Sequence, residues 1–299
     1  MDAHALDCFR KAGTIARDAK LLAASLIKPG AKLADVMSAA ENYILEQGAG
    51  IAFPAQTSRN EIAAHYCPGP NDQTVYVAED VVKVDIGVEV DGYVADNAMT
   101  VYLGEKPIYH DMVQASADGL AAAIAIAGPG VKVNDMSREI ENAIEAKGFK
   151  PVYNLTGHGV GRWTVHCAPS IPACPDRWNK AILEPGMAIA IEPFATDGRG
   201  TVHEQGKSEI FMMVKEPRKF KGIDERVWKV IEKMNGLPFA RRYFEGIDSE
   251  AIEGTLLRLQ RIGCAMSFPP LVDPDNKVRI SQCEHTLLIT ESGAEVITA

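Results

Sequence analysis

The sequence predicts an α/β fold, of the α+β kind, in which two related halves pack together as one domain. Two observations predict it: the chain contains an internal repeat at an offset of 100 residues, and helical and strand-like patterns follow in the same order around each copy. With 46% hydrophobic and 24% charged residues, the composition is typical of a globular protein. A chain of 299 residues can bury a large core without disulfide bonds.

The repeat is clearest where residues 29–48 are aligned with residues 129–148. Eight of the twenty aligned positions are identical, whereas average residue usage would give about one or two matches. Both segments begin with Pro-Gly and end with Gly. A ligand site between such halves is expected near a pseudo-two-fold axis; the alternative interpretation is a chance similarity of two helical hairpins.

The periodicity predicts the same elements in each half. A helix precedes each Pro-Gly, over about residues 4–27 and 108–127, because that dipeptide ends a helix. A second amphipathic helix follows, and Gly48 and Gly148 stand where a helix C-cap favours a left-handed residue. Strands rich in Val and Ile are then predicted over residues 81–90 and 186–194.

Charge and cysteine usage limit the classes of function. The net charge of −9 disfavours binding to nucleic acid or to an anionic membrane, and no apolar run is long enough for a transmembrane helix. Residues 215–221 and the pair Arg241–Arg242 are the only basic segments, and a solvated surface is the favoured interpretation. Six scattered cysteines without a C-x-x-C pair, and the absence of a secretion signal, favour the cytoplasm.

Two aspartates on one predicted hairpin indicate a metal site. Asp91-Gly92 is a strong signal for a two-residue turn. With that turn, Asp85 faces Ala98, and Asp96 projects from the same face as a diagonal neighbour of Asp85. Two carboxylates within apolar strands repel each other and lose hydration, so they need a cation or a shared proton. A solvated sheet face is the alternative.

The second half carries further carboxylates and histidines in similar settings. Glu192 ends an apolar strand, and Glu284 lies in a predicted strand over residues 281–289. His158 is predicted to lie in a glycine-rich turn, where the backbone can approach closely. A single buried acid is usually a salt-bridge partner and a single such histidine is usually structural, but four similarly placed acids favour a shared site.

These residues resemble the methionine aminopeptidases of the pita-bread metallopeptidase fold, over nearly the whole chain. The resemblance implies a single catalytic domain over 1–299. The long connection between Glu192 and Glu284 resembles type II members, in which a small helical insert would occupy residues 217–269, with helices over 227–234 and 250–262. Segments 50–54, 63–66 and 237–242 also look like type II, and no charged extension precedes the first helix, as in the short archaeal form.

The resemblance also implies a metal centre and its ligands. Two divalent ions, of cobalt, manganese, iron or zinc, would be held by carboxylates and one imidazole, which are suitable ligands for these metals. Two such ions can hold and acidify a bridging water. Asp96 and Glu284 would bridge both ions, and the remaining ligands would complete one shell each. The full implied set is Asp85, Asp96, His158, Glu192 and Glu284.

The remaining site residues are also carried over from the resemblance. Glu192 would move the proton, His166 would bind the scissile carbonyl or its oxyanion, and His65 would face the leaving group. A methionine side-chain pocket is expected around Phe53, Val165 and His203.

The implied substrates are the N-termini of nascent polypeptides with a small second residue, and the vicinity of the ribosome is one expected setting. Two alternatives remain open from the sequence. An Xaa-Pro dipeptidase of the same fold would share the five ligands. A non-catalytic pita-bread binding protein would be expected to lose some of them, yet all five are present.

Overall fold

The computed structural model describes residues 1–299, and in each half a pair of helices is followed by strands, as predicted. The helices are α1 (Ala3–Leu26), α2 (Leu33–Glu46), α3 (Pro107–Ile126), α4 (Val133–Ala146), α5 (Glu225–Glu232) and α6 (Ser249–Arg261), with a 3-10 turn at Arg241–Tyr243. The strands are β1 (Gly50–Arg59), β2 (Ile62–Ala64), β3 (Val81–Val90), β4 (Tyr93–Tyr102), β5 (Lys150–Pro151), β6 (Thr156–Gly161), β7 (Thr164–Pro172), β8 (Ala188–Ile191), β9 (Phe194–Thr196), β10 (His203–Glu204), β11 (Ile210–Met213), β12 (Phe239–Ala240), β13 (Ala265–Phe268), β14 (Leu271–Val272), β15 (Ile280–Gln282), β16 (His285–Ile289) and β17 (Ala294–Val296).

The internal repeat is structural, because equivalent residues make equivalent hydrogen bonds. Gly30 and Gly130 turn the chain after α1 and α3 with φ angles of 87° and 83°. The Gly30 N–H donates to the Tyr76 carbonyl at 2.8 Å, and the Gly130 N–H donates to the Leu183 carbonyl at 2.8 Å. The chance interpretation of the repeat is therefore wrong, and the predicted helix pairs are confirmed in both halves.

The first half is a three-stranded antiparallel sheet, in the order β1–β3–β4, against which α1 and α2 pack. The predicted hairpin register is confirmed: Val90 pairs with Tyr93, and Asp85 pairs with Ala98. Apolar residues of β3 such as Val84 are fully buried in the core that includes α1 and α2. Burial of each such side chain contributes about 1.5–3 kcal/mol.

The second half contains a five-stranded sheet, in the order β17–β16–β8–β6–β7, and its core includes residues of α3 and α4. The single strands predicted over 186–194 and 281–289 are wrong, because each is broken in the middle. β8 ends at Ile191 and β9 begins at Phe194, since Pro193 has no N–H for a sheet hydrogen bond. β15 and β16 are separated by two residues, and the N–H of Glu284 donates to the Ala98 carbonyl of the first half instead.

Hydrogen bonds between β4 and the C-terminal strands join the halves. The N–H of Asp96 donates to Thr286 Oγ1 at 2.8 Å, and the same hydroxyl donates to the Asp96 carbonyl at 2.7 Å. Thr100 makes an equivalent exchange with the backbone of Gln282, at 2.8 Å in each direction. Because all these groups are buried, β4, which carries Asp96, and the segment around Glu284 are held in fixed register.

The segment 217–269 contains α5 and α6, so both helices predicted within it are confirmed. These helices pack on one another through an apolar cluster that includes Val227, Ile231, Leu256 and Leu259. An ion pair between Arg242 and Glu41 of α2, largely shielded from solvent, joins this segment to the first half, so the solvated surface predicted for Arg241–Arg242 is wrong. No helix of the protein is both long and apolar enough to span a membrane.

Candidate metal centre

A cavity of about 340 Å³ lies where the two halves meet. Asp85 and Asp96 line it from adjacent strands of the β3–β4 hairpin, as the register predicted. Asp85 Oδ1 and Asp96 Oδ1 are shielded from solvent and accept no hydrogen bond. Since buried polar atoms almost always have partners, these oxygens indicate a ligand.

His158 enters the cavity from the second half, on β6. The predicted glycine-rich turn is wrong: residues 156–161 form a strand, and the glycines serve close strand packing instead. A Cβ on Gly157 would lie 2.4 Å from the Ala190 carbonyl oxygen, and one on Gly159 would lie 2.3 Å from that of Ala168. His158 Nδ1 lies 3.2 Å from the Gly159 carbonyl oxygen, an arrangement that assigns the ring proton to Nδ1 and leaves Nε2 free to bind an ion.

Glu192 lies in the gap between β8 and β9, and Glu284 lies in the gap between β15 and β16. The interruption at Ile191–Pro193 lets the Glu192 carboxylate turn into the cavity, where Gln282 Nε2 donates to its Oε2 at 3.3 Å. Glu284 is 1% exposed, and neither of its carboxylate oxygens has a hydrogen-bond partner. Each break therefore places an acid at the junction of the halves, which an unbroken strand would not do.

The acidic groups are brought together at a high electrostatic cost. Burial raises the pKa of Asp85 to about 7. Burial also raises the pKa of Asp96 well above its ordinary value, and the charges of Asp85 and Glu192 raise it further. The pKa values of Glu192 and Glu284 are likewise raised, by burial first and then by neighbouring carboxylates. Without a cation, these groups would hold protons rather than share a buried site as anions.

The donor set fits divalent metal ions. His158 Nε2 lies 3.7 Å from Asp96 Oδ2 and 3.6 Å from Glu192 Oε1, too far for hydrogen bonds but close enough to share a cation. Burial lowers the pKa of His158 to about 3, with a further contribution from His166, so its imidazole is neutral as a metal ligand must be. The unpartnered oxygens of Asp85, Asp96 and Glu284 would gain their missing partner from such ions.

His65 and His166 lie beside this group of ligands. His65 has a φ of 66°, unusual for a residue with a side chain, and its N–H donates to Gln56 Oε1 at 2.7 Å. Burial lowers the pKa of His65 to about 4, and its Nδ1 has no partner. The ring of His166 lies edge-on to that of His158, with centroids 4.3 Å apart. His166 stays open to solvent, yet the protein packed around its ring lowers its pKa by desolvation.

An apolar slot adjoins the polar part of the cavity. Phe53 and Val165, both predicted, line it together with Ile210, Pro238 and Phe268. The Phe53 ring lies on the backbone of β3, because a Cβ on Gly87 would be 2.2 Å from its Cε1 atom. The slot thus depends on a glycine in the same strand as Asp85.

Nine of the ten predicted site residues line this one cavity. They are Phe53, His65, Asp85, Asp96, His158, Val165, His166, Glu192 and Glu284. His203 does not: it is exposed on β10, which pairs with β14, and it lies outside the cavity. Ile210, seven residues further on, lines the slot instead. The sequence reasoning also missed Gln56 and Gln282, although Gln282 stands two residues before Glu284 and could have been suspected on that ground.

The fold and this buried group of carboxylates and imidazole define a metal-dependent hydrolase with the pita-bread fold. The chain belongs to metallopeptidase family M24, whose model matches residues 7–291. A methionine aminopeptidase of Thermococcus onnurineus is 40% identical over 290 residues, covering 96% of this chain and 97% of that protein. A methionine aminopeptidase of Archaeoglobus fulgidus is 39% identical over 304 residues, covering both chains fully. The crystal structure of a methionine aminopeptidase from Thermotoga maritima has the same fold, with a TM-score of 0.74 at 24% identity, covering 100% of this chain and 98% of that one.

Proposed function

We propose that this metallopeptidase removes the N-terminal methionine from other polypeptides. The observation that carries the proposal is the shared cavity, in which five potential metal ligands adjoin apolar side chains. An apolar slot suits a flexible and polarizable thioether side chain. The relatives named methionine aminopeptidase, which match nearly the whole chain, support the same function.

Two divalent ions are proposed as cofactors, held by Asp85, Asp96, His158, Glu192 and Glu284. When bound, such ions supply a water molecule made acidic enough to act as a nucleophile at neutral pH. Carboxylates and imidazole suit cobalt, manganese, iron and zinc alike, so the identity of the ions depends on supply. The acidic residues also give the ligand set a negative charge that offsets the charge of the ions.

The remaining side chains hold the substrate and move protons. Glu192 is the proposed proton carrier, and Gln282 fixes its carboxylate by donating to Oε2. His166, at the open side of the cavity, would donate a hydrogen bond to the scissile carbonyl oxygen and stabilise the charge that develops on it. His65 would face the amine of the second residue, which leaves after bond cleavage. Burial lowers the pKa of His65 to about 4, which keeps this imidazole neutral, so it would contact the leaving amine as an uncharged hydrogen-bond partner.

The substrate would be bound by its first residue. Phe53, Val165 and Ile210 would surround the methionine side chain, and the free amino group would lie near the carboxylates. A small second residue is expected, by family resemblance. The substrates would be nascent proteins in the cytoplasm, near the ribosome; the six free cysteines are consistent with such a reducing compartment.

A peptide assay with defined metal content tests the function. The metal-free protein would be reloaded with Co²⁺ or Mn²⁺ and supplied with Met-Gly, Met-Lys and Ala-Pro peptides. Release of methionine from Met-Gly, at a rate well above that from Met-Lys, is the expected result. Cleavage of Ala-Pro alone would favour an Xaa-Pro dipeptidase, and no cleavage by fully metal-loaded protein would favour a binding protein.

A further inference from the structure

A second group of metal-ligand side chains lies at the surface, where the first turn of α1 meets the turn between β3 and β4. His4, Cys8 and Asp91 each direct one donor atom into this group, and the three atoms lie within 4.8 Å of one another. None of the three residues lines the cavity of the proposed peptidase site. The proposed function does not use them.

The helix places two of the donors together. His4 and Cys8 are four residues apart on α1, so their side chains lie on the same face. Asp2 caps this helix by accepting a hydrogen bond from the Ala5 N–H at 2.8 Å, and this cap fixes the first turn that carries His4. Cys8 Sγ lies 3.6 Å from His4 Nε2.

The third donor is held in place by an arginine. Arg162 donates from Nη2 to Asp91 Oδ1 at 2.8 Å and from Nε to the Asp91 carbonyl at 2.9 Å. The second carboxylate oxygen, Oδ2, is therefore left to point at His4 Nε2, 2.9 Å away. Arg162 also offsets part of the negative charge that a thiolate and a carboxylate would bring to one site.

We propose that His4, Cys8 and Asp91 form an accessory binding site for a zinc-like divalent ion. One sulfur, one imidazole nitrogen and one carboxylate oxygen are suitable zinc ligands, and a water molecule would complete a tetrahedron. Sulfur and nitrogen ligands at about 2.3 and 2.1 Å from a tetrahedral ion are roughly 3.6 Å apart, as Cys8 and His4 are here. The exposed His4 side chain would move by a few tenths of an ångström to open its contact with Asp91.

The position of the site gives the ion a structural effect. It would link the first turn of α1 to the tip of the hairpin that carries Asp85 and Asp96. A ligand that binds only the folded state stabilises it in proportion to the logarithm of its concentration over Kd. The ion would therefore strengthen the hairpin on which two proposed peptidase ligands lie, without contacting substrate.

Cobalt titration of the metal-free full-length protein tests the proposal, because a thiolate bound to Co²⁺ gives a near-ultraviolet charge-transfer band. The five proposed peptidase ligands contain no sulfur, so the band reports the accessory site whether or not the peptidase centre fills. We expect the band to saturate when the accessory site holds one Co²⁺, and Zn²⁺ to remove it by competition. Cys8→Ser should abolish the band, and His4→Ala or Asp91→Asn should weaken binding at this site by about tenfold or more.

Control variants separate this site from the other thiols. Cys174→Ser should keep the band, and all of these variants should still release methionine after reloading. A wild-type protein without the band would overturn the proposal and leave a purely hydrogen-bonded contact between α1 and the hairpin. A band that survives Cys8→Ser but is lost in Cys167→Ser would place the bound thiolate near the cavity. That result would also overturn the proposal.

Discussion

Asp85 and Asp96 are diagonal neighbours on the β3–β4 hairpin: Asp85 pairs with Ala98, Asp96 pairs with Gly87, and both carboxylates face the same cavity. Their closeness raises the pKa of Asp96 beyond the effect of burial alone. A fold that keeps two acids in this relationship gives up stability in the absence of a cation and recovers it when a cation binds.

Removal of metal should make stability depend on pH in a defined direction. The pKa of Asp85 is about 7 in the folded state, above its ordinary value of about 3.9. A group whose pKa is higher in the folded state makes its full contribution to the free energy of unfolding at pH values below its unfolded-state pKa. That contribution is lost as the pH rises through the folded-state pKa. The metal-free protein should therefore lose roughly a few kcal/mol of stability between about pH 4 and 8.

Urea unfolding of the metal-free protein, repeated across this pH range, measures the effect. The metal-loaded protein is the control, and its stability should rise over the same interval because ligands lose protons more readily at high pH. Parallel pH profiles with and without metal would contradict the electrostatic argument.

Glu284→Gln should weaken metal binding and peptidase activity together. The amide keeps the shape of the side chain but removes the charge, and neither Glu284 oxygen has a protein partner to compensate. We expect activity to fall by about a hundredfold or more. At high pH, where the buried acids lose their protons, the metal-free variant should unfold at a higher temperature than metal-free wild type, since it has one buried carboxyl group fewer to ionise.

Metal content by mass spectrometry and release of methionine measure the two effects. Glu295→Gln is a matched control, because Glu295 is a partly exposed acid that binds Arg10 at the surface. That variant should keep its metal and its activity. Normal metal content in Glu284→Gln would remove Glu284 from the ligand set.

His166→Ala should slow turnover while leaving metal content normal. His166 lies beside His158 but is not among the five proposed ligands, and a lost oxyanion donor typically costs about 10²–10³ in kcat. His110→Ala, which removes an exposed histidine outside the cavity, should change neither quantity. An unchanged kcat in the His166 variant would exclude the proposed role.

Gly87→Ala should disturb the methionine slot through Phe53. The new Cβ would overlap the Phe53 ring, whose Cε1 atom would be only 2.2 Å away. The ring would be pushed from its place, so KM for methionyl peptides should rise and the melting temperature should fall. Gly254→Ala on α6 is the control, because nothing lies within 4 Å of its added Cβ.

A double variant tests the mechanism of this effect. Phe53→Ala removes the ring that collides with the new side chain. If the ring is the cause, the double variant Phe53→Ala, Gly87→Ala should be no less stable than Phe53→Ala alone. If the two substitutions instead lowered the stability additively, Gly87 would be required for a reason other than its contact with the Phe53 ring.

Arg242→Met should loosen the attachment of the segment 217–269. Arg242 is the buried partner of Glu41, which also accepts a hydrogen bond from Tyr243 at 2.6 Å. Removal of one member of a buried ion pair leaves an uncompensated charge and typically costs about 3–5 kcal/mol. The double variant Glu41→Gln, Arg242→Met should lose less, because no buried charge remains unpaired.

Urea unfolding compares these variants, with Arg226→Ala as the surface control. Arg226 pairs with Asp224 and Asp248 at the protein surface, where solvent screening leaves such pairs little effect on stability. If Arg226→Ala and Arg242→Met lowered the free energy of unfolding equally, the pair of Arg242 and Glu41 would have no special role.

The local patterns of the sequence determined much of the fold and of the site. The repeat of Pro-Gly and helix, and the Asp91-Gly92 turn, depend on short-range preferences that a sequence displays directly. The turn alone fixed the register of the hairpin and hence the relation of Asp85 to Asp96. The resemblance to a known family then added His158, Glu192 and Glu284 as proposed ligands, and all five proposed ligands line one cavity.

Only the tertiary structure decided how the two halves meet. Whereas the break at Glu192 follows from Pro193, the break at Glu284 and the contact of Thr286 with Asp96 arise from hydrogen bonds between segments nearly 200 residues apart. The strand character of residues 156–161 and the placement of Ile210 rather than His203 in the slot have the same origin. Periodicity reports which residues favour a strand, but the neighbouring strand determines where it is broken and which way its side chains face.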